Sequence, residues 1–412
     1  MDNLPKTKLR QDADTIIASA IRAVLPDAAV QRALEGASFP GRVILVAAGK
    51  AAWQMAHAAC TALGDRITQG IVITKYGHAR SALPRIQIVE AGHPIPDENS
   101  FSGTQQAIEL VSGLTAQDTV LFLLSGGGSA LFESPLLPGA ELQDITSQLM
   151  ACGADIVEIN TIRKRLSAVK GGRFAALCAP ARVFSIILSD ILGDPVDMIA
   201  SGPACVDRST CAEAAAIAEK YALRLSGCAQ ILLRQETPKS LANVETHVTG
   251  SVRELCAAAA SSCRALGYEP TILTDCLSCE AREAGRFLGS VARSHAGGAP
   301  TAWIAGGETV VHLTGHGMGG RNQELALAAA EALDGQNAAV FSIGSDGTDG
   351  PTDAAGGYAD GGSLDALHAA GLDVHQVLTE NDAYHALKAI GSLIMTGPTG
   401  TNVNDVAVVL CR

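Results

Sequence analysis

Glycine-rich segments follow most of the predicted strands of this chain, and polar or charged side chains accompany them. There are seven: AAGKAA (47–52), EAGHPIPDENS (90–100), LSGGGSA (124–130), LSDILGDPVDMIASGPA (188–204), GHGMGGRNQE (315–324), IGSDGTDGPTDAAGG (343–357) and MTGPTGTNVND (395–405). Backbone N–H groups in a glycine turn can point at an anion without a side chain in the way. Ligands of open α/β sheets bind beyond the carboxyl ends of the strands. The seven segments together therefore predict a large cleft that binds polyanions.

The clearest anion loop follows the apolar run TVLFLL (119–124). We expect Ser125, Gly126, Gly127, Gly128 and Ser129 to bind a phosphate or a carboxylate through backbone N–H groups. A second such position combines two glycines with two amides, and we expect substrate contacts from Gly319, Gly320, Asn322 and Gln323.

Two cations stand where the helix dipole disfavours them. Lys50 comes one residue after a strand-end glycine, and Arg321 directly follows Gly319-Gly320, both at predicted helix starts. A bound anion would compensate for this placement. The pattern therefore indicates catalytic cations that neutralise charge, as phosphoryl transfer requires, or that clamp a carboxylate. A solvated lysine is the alternative for Lys50.

Acidic residues supply the complementary chemistry. Asp190 follows a serine at a strand end, where a carboxylate can accept a substrate proton as a general base. Asp194, Asp346 and Asp349 lie in similar turns and are predicted Mg²⁺ ligands, with Asp194 and Asp346 as alternative bases. Local capping of a turn remains the alternative for each of them.

One dense basic stretch, NTIRKRLSAVKGGRFA (160–175), contains Arg163, Lys164, Arg165, Lys170 and Arg173. We expect it to be helical. It would form either a solvated face or a positive wall of the cleft that steers anions.

The segment GHGMGG also fits the dinucleotide fingerprint, with Gly315, Gly317 and Gly320 between a predicted strand, TVVHL (309–313), and a predicted helix at 321–333. This is the sequence case for a nicotinamide enzyme. Against it, the strand reads as half of a hairpin, whereas the fingerprint usually opens a domain.

Composition narrows the classes of partner. The 412 residues carry a formal net charge of −12, which argues against binding to nucleic acid. The N-terminus has no signal-like apolar region and no apolar run is long enough for a membrane span, so we expect a cytoplasmic protein without membrane contact. The 11 cysteines read as reduced thiols, and the single CxxC, Cys276 and Cys279, as incidental spacing.

Strand and helix patterns alternate almost throughout, which predicts an α/β fold with largely parallel strands. The stretch RQETPKSLANVE (234–245) interrupts this alternation and is the best candidate for a domain boundary.

Taken in order, the loops resemble the glycerate 2-kinase family, the bacterial class II type with a C-terminal MOFRL domain. The matching stretches cover nearly the whole chain, among them AGHPIPDENS, LLSGGGSALF, INTIRKRLSAVKGGRFA, GRNQELAL, SDGTDGPTDAAGG and TGPTGTNVND.

The resemblance implies two α/β domains with the active site in the cleft between them. Residues 1–240 would be a Rossmann-like parallel-sheet sandwich, and residues 241–412 a mixed-sheet domain with the MOFRL region at about 300–410. It also implies ATP and Mg²⁺ as cofactors, D-glycerate phosphorylated at its 2-hydroxyl, and importance of Lys50 and Arg321 for activity. The sequence leaves the choice between a monomer and a homodimer open. Members of this family have also been named putative hydroxypyruvate reductases, so the alternative to a kinase is an NAD(P)H-dependent hydroxypyruvate reductase.

Overall fold

A computed structural model describes residues 7–412, and these form two compact units. The Rossmann-like unit is Ala29–Thr249, and the mixed-sheet unit joins the described residues up to Ala28 to Gly250–Arg412. The sequence-based division at residue 240 lies close to Thr249, where the chain passes for the second time from one unit to the other. It differs in assigning the N-terminal helix to the first domain.

The Rossmann-like unit is built on one six-stranded sheet. Its strands are β1 (Val43–Ala48), β2 (Ile67–Lys75), β3 (Ile86–Ala91), β4 (Thr119–Leu124), β5 (Arg182–Leu188) and β6 (Val244–Gly250), in the order β3-β2-β1-β4-β5-β6. The pairs from β3 to β5 are all parallel. β1 and β4 are buried along their whole length, which explains their unbroken apolar sequences, because helices cover both faces of such a sheet.

Nine helices accompany this sheet: α2 (Pro26–Leu34), α3 (Ala52–Leu63), α4 (Glu98–Leu110), α5 (Gly128–Leu131), α6 (Gly139–Ala151), α7 (Ile156–Arg165), α8 (Arg173–Cys178), α9 (Cys211–Lys220) and α10 (Gly227–Leu233). Capping boxes begin three of them, at Asp97, Asp155 and Thr210. Short 3₁₀ turns add Gly64–Arg66 and Ile199–Ser201.

The strand order places a topological switch point between β1 and β4. From β1 the chain continues to β2 on one side, and from β4 it continues to β5 on the other side. In the parallel pairing of β1 with β4, the last residues of the two strands, Ala48 and Leu124, lie side by side. The loops that follow both strands therefore begin side by side, which is where an open α/β sheet forms its ligand crevice.

The mixed-sheet unit has strands β7 (Glu269–Leu277), β8 (Thr301–Gly307), β9 (Ala338–Gly344), β10 (Gly356–Asp360), β11 (Leu393–Ile394) and β12 (Asp405–Cys411), in the order β11-β10-β9-β12-β8-β7. β12 runs antiparallel between β8 and β9, and its first residue, Asp405, pairs with Gly307 and Gly344. The start of β12 therefore meets the carboxyl ends of both neighbours.

The helices of this unit are α1 (Lys8–Ala23), α11 (Val252–Ala265), α12 (Ala281–His295), α13 (Arg321–Leu333), α14 (Ser363–Ala369), α15 (Val374–Thr379) and α16 (Ala383–Ala389). A buried polar contact fixes α1: the Tyr268 hydroxyl donates to Asp12 Oδ2 at 2.8 Å, and Arg412 lies 3.2 Å from the same carboxylate. The first helix packs mainly against α11 and also contacts β9 of the same unit.

The α/β class, with one Rossmann-like sheet and one mixed sheet, is confirmed. The apolar run at 119–124 forms strand β4, and the helix predicted at 321–333 has the predicted bounds. Of the helices among residues 7–412, none is long and apolar enough to cross a membrane.

Candidate functional site

The loops after β1 and β4 are tied to each other at the switch point. The Lys50 N–H donates to the Gly126 carbonyl at 2.9 Å, and the Ala51 N–H donates to Ser125 Oγ at 3.0 Å. The Lys50 side chain is exposed, and within the described residues no carboxylate lies at ion-pair distance from its ammonium group. The backbone at Lys50 is therefore fixed by hydrogen bonds, while the positive charge of its side chain is not compensated by a carboxylate of the described residues.

The glycine loop, Ser125–Ser129, needs its glycines because other side chains approach its backbone. A Cβ on Gly126 would overlap Asp190 Oδ2. Gly127 has a φ of +86°, and a Cβ there would lie 3.0 Å from His93 Cδ2 and 3.2 Å from Lys50 Cγ. Lys50, Asp190 and His93 therefore all lie against the backbone of this one loop, and the catalytic roles of Lys50 and Asp190 stay predictions.

The surroundings of His93 are electropositive. Burial, followed by electrostatic interactions with Lys50, Lys75 and His78, lowers the pKa of His93 below its ordinary value of 6.5. A neutral imidazole at pH 7 can donate or accept a hydrogen bond. An acidic chain has here collected cations around one loop, which suits an anionic ligand.

The basic stretch supports this loop from inside the protein. The prediction of one helix with a solvated or cleft-facing wall is wrong, because α7 ends at Arg165 and Lys164, Arg165 and Lys170 are buried. Lys170 Nζ and Arg163 Nη2 each donate to the Ser129 carbonyl at 2.9 Å.

The positive charges of Lys170 and Arg163 are partly compensated by Glu133, which is fully buried. Its Oε2 lies 3.3 Å from Lys170 and 3.7 Å from Arg163. Burial nevertheless lowers the pKa of Lys170 to about 8. A buried ion cluster contributes little net stability, yet losing one partner is costly because the other charge is left unpaired.

A second charged cluster lies in the mixed-sheet unit, around Arg321. Its guanidinium contacts Asp405 at 2.5 Å from Nε and 3.0 Å from Nη2, and Glu308 at 2.9 Å from Nη1. Burial opposes the charge, but the hydrogen bonds and charges of Asp405 and Glu308 outweigh it and raise the pKa of Arg321. The predicted compensating anion at this helix start therefore includes two of the protein's own carboxylates.

Asp349 completes this cluster from the loop after β9. Its carboxylate accepts the backbone N–H groups of Asn322 and Gln323 at 3.1 Å and 2.9 Å, so it caps α13 from a distance. Gly320 has no Cβ, and one there would overlap this carboxylate. Burial raises the pKa of Asp349 to about 6, although these hydrogen bonds oppose the shift.

Asn322 and Gln323 are buried and use their side chains internally. Asn322 Oδ1 accepts from the Ser342 hydroxyl at 2.5 Å, and Gln323 Nε2 donates to Thr352 Oγ1 at 2.9 Å. These contacts give both amides a structural role, and their contact with substrate, like that of Gly319, stays a prediction.

The dinucleotide fingerprint does not have its structural context. TVVHL is not a strand, since only an isolated bridge at Val310 occurs there, and Leu313 is 77% exposed. A Cβ on Gly315 would overlap the backbone of Glu380, and one on Gly317 would lie 2.5 Å from Asp382 Cβ. These glycines serve contacts with a neighbouring loop of the protein.

The three predicted Mg²⁺ ligands differ in what their oxygens already bind. Asp349 uses both oxygens on the start of α13, and Asp346 Oδ1 accepts from the Thr348 N–H at 3.0 Å. Asp194 has a positive φ and keeps one buried oxygen, Oδ1, without a hydrogen-bond partner. Among residues 7–412 no group of three ligating side chains could hold a metal ion, and the Mg²⁺ roles of Asp194, Asp346 and Asp349 stay predictions.

Comparisons with known proteins place this architecture. Residues 12–233 match the model of a domain of unknown function, DUF4147, and residues 301–405 match the MOFRL family. The fold and this domain pair define a two-domain α/β protein of the DUF4147–MOFRL type.

Full-length relatives are more specific. The chain is 52% identical to D-glycerate 2-kinase of Thermotoga maritima, covering 97% of this chain and 98% of the relative. The crystal structure of glycerate kinase from the same organism matches with a TM-score of 0.95 at 51% identity, covering 98% of this chain and 99% of that one. The chain also shares 42% identity with a protein of Agrobacterium vitis named "Putative hydroxypyruvate reductase", over 90% of this chain and 87% of that one. The chain belongs to the glycerate 2-kinase family.

Three functional candidates were missing from the sequence-based site. Asp405 closes the segment MTGPTGTNVND, where an acidic residue directly before a buried strand is a usable signal. His93 was visible in its loop, but nothing in the sequence shows that it contacts Gly127. Glu133 lies just past the glycine loop, and its pairing with Lys170 depends on tertiary packing alone.

Proposed function

We propose that this protein is a glycerate 2-kinase, which transfers the γ-phosphoryl group of ATP to the 2-hydroxyl of D-glycerate. The structural observation that carries the proposal is the glycine loop at the switch point, with an unpaired lysine and a carboxylate against it. The named activities of the relatives support the substrates.

In this mechanism Asp190 is the general base. Its carboxylate lies against Gly126, beside the loop that would hold the phosphates. It would take the proton of the attacking hydroxyl as the bond to phosphorus forms and the bond to ADP breaks. His93 is the alternative acceptor of that proton, since its imidazole is neutral at pH 7.

Lys50 supplies the charge that the transferring group needs. Because its ammonium group has no carboxylate partner in the described chain, binding a phosphate costs it no existing ion pair. Arg321, held in one orientation by Asp405 and Glu308, would bind the glycerate carboxylate or a phosphate oxygen with its remaining N–H groups.

Magnesium fits this scheme as an ion bound mainly by ATP, with Asp194 as the protein's carboxylate for it. When bound, it neutralises phosphate charge. Within residues 7–412 the eleven cysteines form no disulfide, which supports a reducing compartment such as the cytoplasm. A monomer or homodimer remains the expected assembly.

The reductase alternative loses its sequence support in the structure, since the glycines of the fingerprint are engaged by Glu380 and Asp382. The test compares both reactions. The purified protein is incubated with ATP, MgCl₂ and D-glycerate, and separately with NADH and hydroxypyruvate. We expect ³¹P NMR to show ADP and 2-phosphoglycerate. Formation of 3-phosphoglycerate would correct the position, and NADH oxidation without ADP release would overturn the proposal.

A further inference from the structure

We infer that a pocket beside the glycine loop, formed by the β3–α4 loop, Tyr76, Phe101 and the start of α6, binds the adenosine part of ATP. The inference rests on the proposed function only in taking ATP as the phosphoryl donor. None of the comparisons assigns this pocket.

The pocket has the size and the surface of a nucleoside site. Its volume is about 700 Å³, within the range of about 300–1,000 Å³ that small-molecule sites occupy. Its walls include the rings of Tyr76 and Phe101 and the side chain of Ile95. Tyr76 and Ile95 are 52% and 66% exposed and lie in the same pocket, so their apolar surface is open to a ligand.

The walls are also fixed in place. The Tyr76 hydroxyl donates to Asp97 Oδ2 at 2.8 Å and accepts from Asn99 Nδ2 at 3.1 Å. Gln143 Nε2 donates to the Pro96 carbonyl at 3.0 Å, which ties α6 to the β3–α4 loop. A preformed aromatic wall loses little entropy when a flat base stacks on it.

The charges of the pocket decide which part of the substrates it takes. Of the described residues that line it, Asp97 and Glu98 are carboxylates, and none is a lysine or an arginine. A triphosphate or the carboxylate of glycerate would be repelled there. Adenosine is neutral, and its amino group and ribose hydroxyls are donors that match carboxylate acceptors.

His93 connects this pocket to the reacting centre. It lines the pocket and its ring also lies against Gly127, next to Lys50. A nucleotide whose base stacks between the aromatic walls would therefore direct its phosphates past His93 to the glycine loop.

The test fills the pocket without touching the core. Ala140 is exposed on α6 and lines the pocket, so Ala140→Trp would occupy the space of the base. Ala151→Trp, exposed at the far end of the same helix, is the matched control. Ile95→Asn removes apolar surface from the rim without adding charge, with Ile231→Asn on α10, 63% exposed, as its control.

We expect both pocket variants to raise the KM for ATP and the Kd for ADP by about tenfold or more, the scale of one lost base–aromatic stack. The KM for D-glycerate and the Kd for inorganic tripolyphosphate, measured by calorimetry, should stay unchanged, as should all four constants in the controls. A rise in the glycerate KM alone, an equal loss of tripolyphosphate binding, or no change in ADP affinity would each overturn the inference. If the wild-type protein binds ADP but forms no phosphoglycerate, the proposed function fails, while the pocket is still tested by ADP against tripolyphosphate.

Discussion

The two cations that stand at helix starts, Lys50 and Arg321, are held in opposite ways. Lys50 follows a parallel strand, its backbone is fixed by the glycine loop, and its ammonium group is unpaired within residues 7–412. Arg321 has two carboxylate partners and a third carboxylate, Asp349, capping the helix behind it.

The difference separates a cation kept available for the substrate from a cation kept in one orientation. Removing an available cation affects the reaction and leaves the fold intact. Removing an oriented one also leaves the buried carboxylate of Asp405 unpaired, so stability should fall with activity. The following changes test this contrast, from the largest expected effect to the smallest.

Asp190→Asn keeps the shape of the side chain beside Gly126 and removes its basicity. We expect kcat to fall about a thousandfold, within the range for a general base, with an unchanged melting temperature. His93→Asn should cost about tenfold, because it alters a neighbour of the base and not the base itself. A larger loss of kcat in His93→Asn than in Asp190→Asn would identify His93 as the proton acceptor.

Arg321→Met should lower kcat/KM about a hundredfold. It should also cost about 2 kcal/mol of unfolding free energy, less than for a fully buried pair because the Arg321 side chain is 32% exposed. Adding Asp405→Asn should restore the stability measured by urea unfolding, but not the activity. A single mutant as stable as the wild-type protein would show that Arg321 is no more constrained than Lys50.

Lys170→Met removes one of the two donors to the Ser129 carbonyl and leaves the buried Glu133 with the more distant Arg163, at 3.7 Å, as its cationic partner. We expect a loss of about 3 kcal/mol in stability and a rise of about tenfold in the KM for ATP as the loop loosens. The double variant Lys170→Met with Glu133→Gln should regain stability but keep the raised KM. Recovery of both would mean that the cluster serves folding only.

Asp349 gives the smallest effect, which depends on pH. Its pKa in the folded protein is about 6, above the ordinary 3.8, so between these values the folded state binds more protons than the unfolded state. Stability therefore falls as pH rises from about 4 to about 6, by on the order of 2 kcal/mol. Asp349→Asn should flatten this slope in thermal unfolding curves. An unchanged slope would place the titration elsewhere.

The sequence predicts the strands and the loops that follow them better than it predicts the contacts of buried charged side chains. Strands β1 and β4 could be predicted from the sequence because a buried parallel strand is a continuous apolar run. The loops after them could be predicted because their glycines indicate that another group approaches the backbone closely. Lys50 and Asp190 could be assigned to one crevice from that rule alone. The prediction that residues 160–175 form one helix with an exposed basic face is wrong. A periodicity of 3.6 residues cannot show that the helix ends at Arg165 or that the buried Lys170 forms an ion pair with Glu133.

The glycines at Gly126, Gly315 and Gly320 show the same limit. The sequence indicates that something approaches the backbone at each of them. Tertiary structure alone reveals that the approaching groups belong to the protein: Asp190, the Glu380 backbone and Asp349.

The most direct test is the rate of phosphoryl transfer in Lys50→Met, measured by rapid quench in a single turnover with saturating ATP, MgCl₂ and D-glycerate. We predict a fall of about a thousandfold, with ADP affinity and melting temperature unchanged. A single-turnover rate close to that of the wild-type protein would contradict the assignment of the reacting centre to the switch point of the Rossmann-like unit.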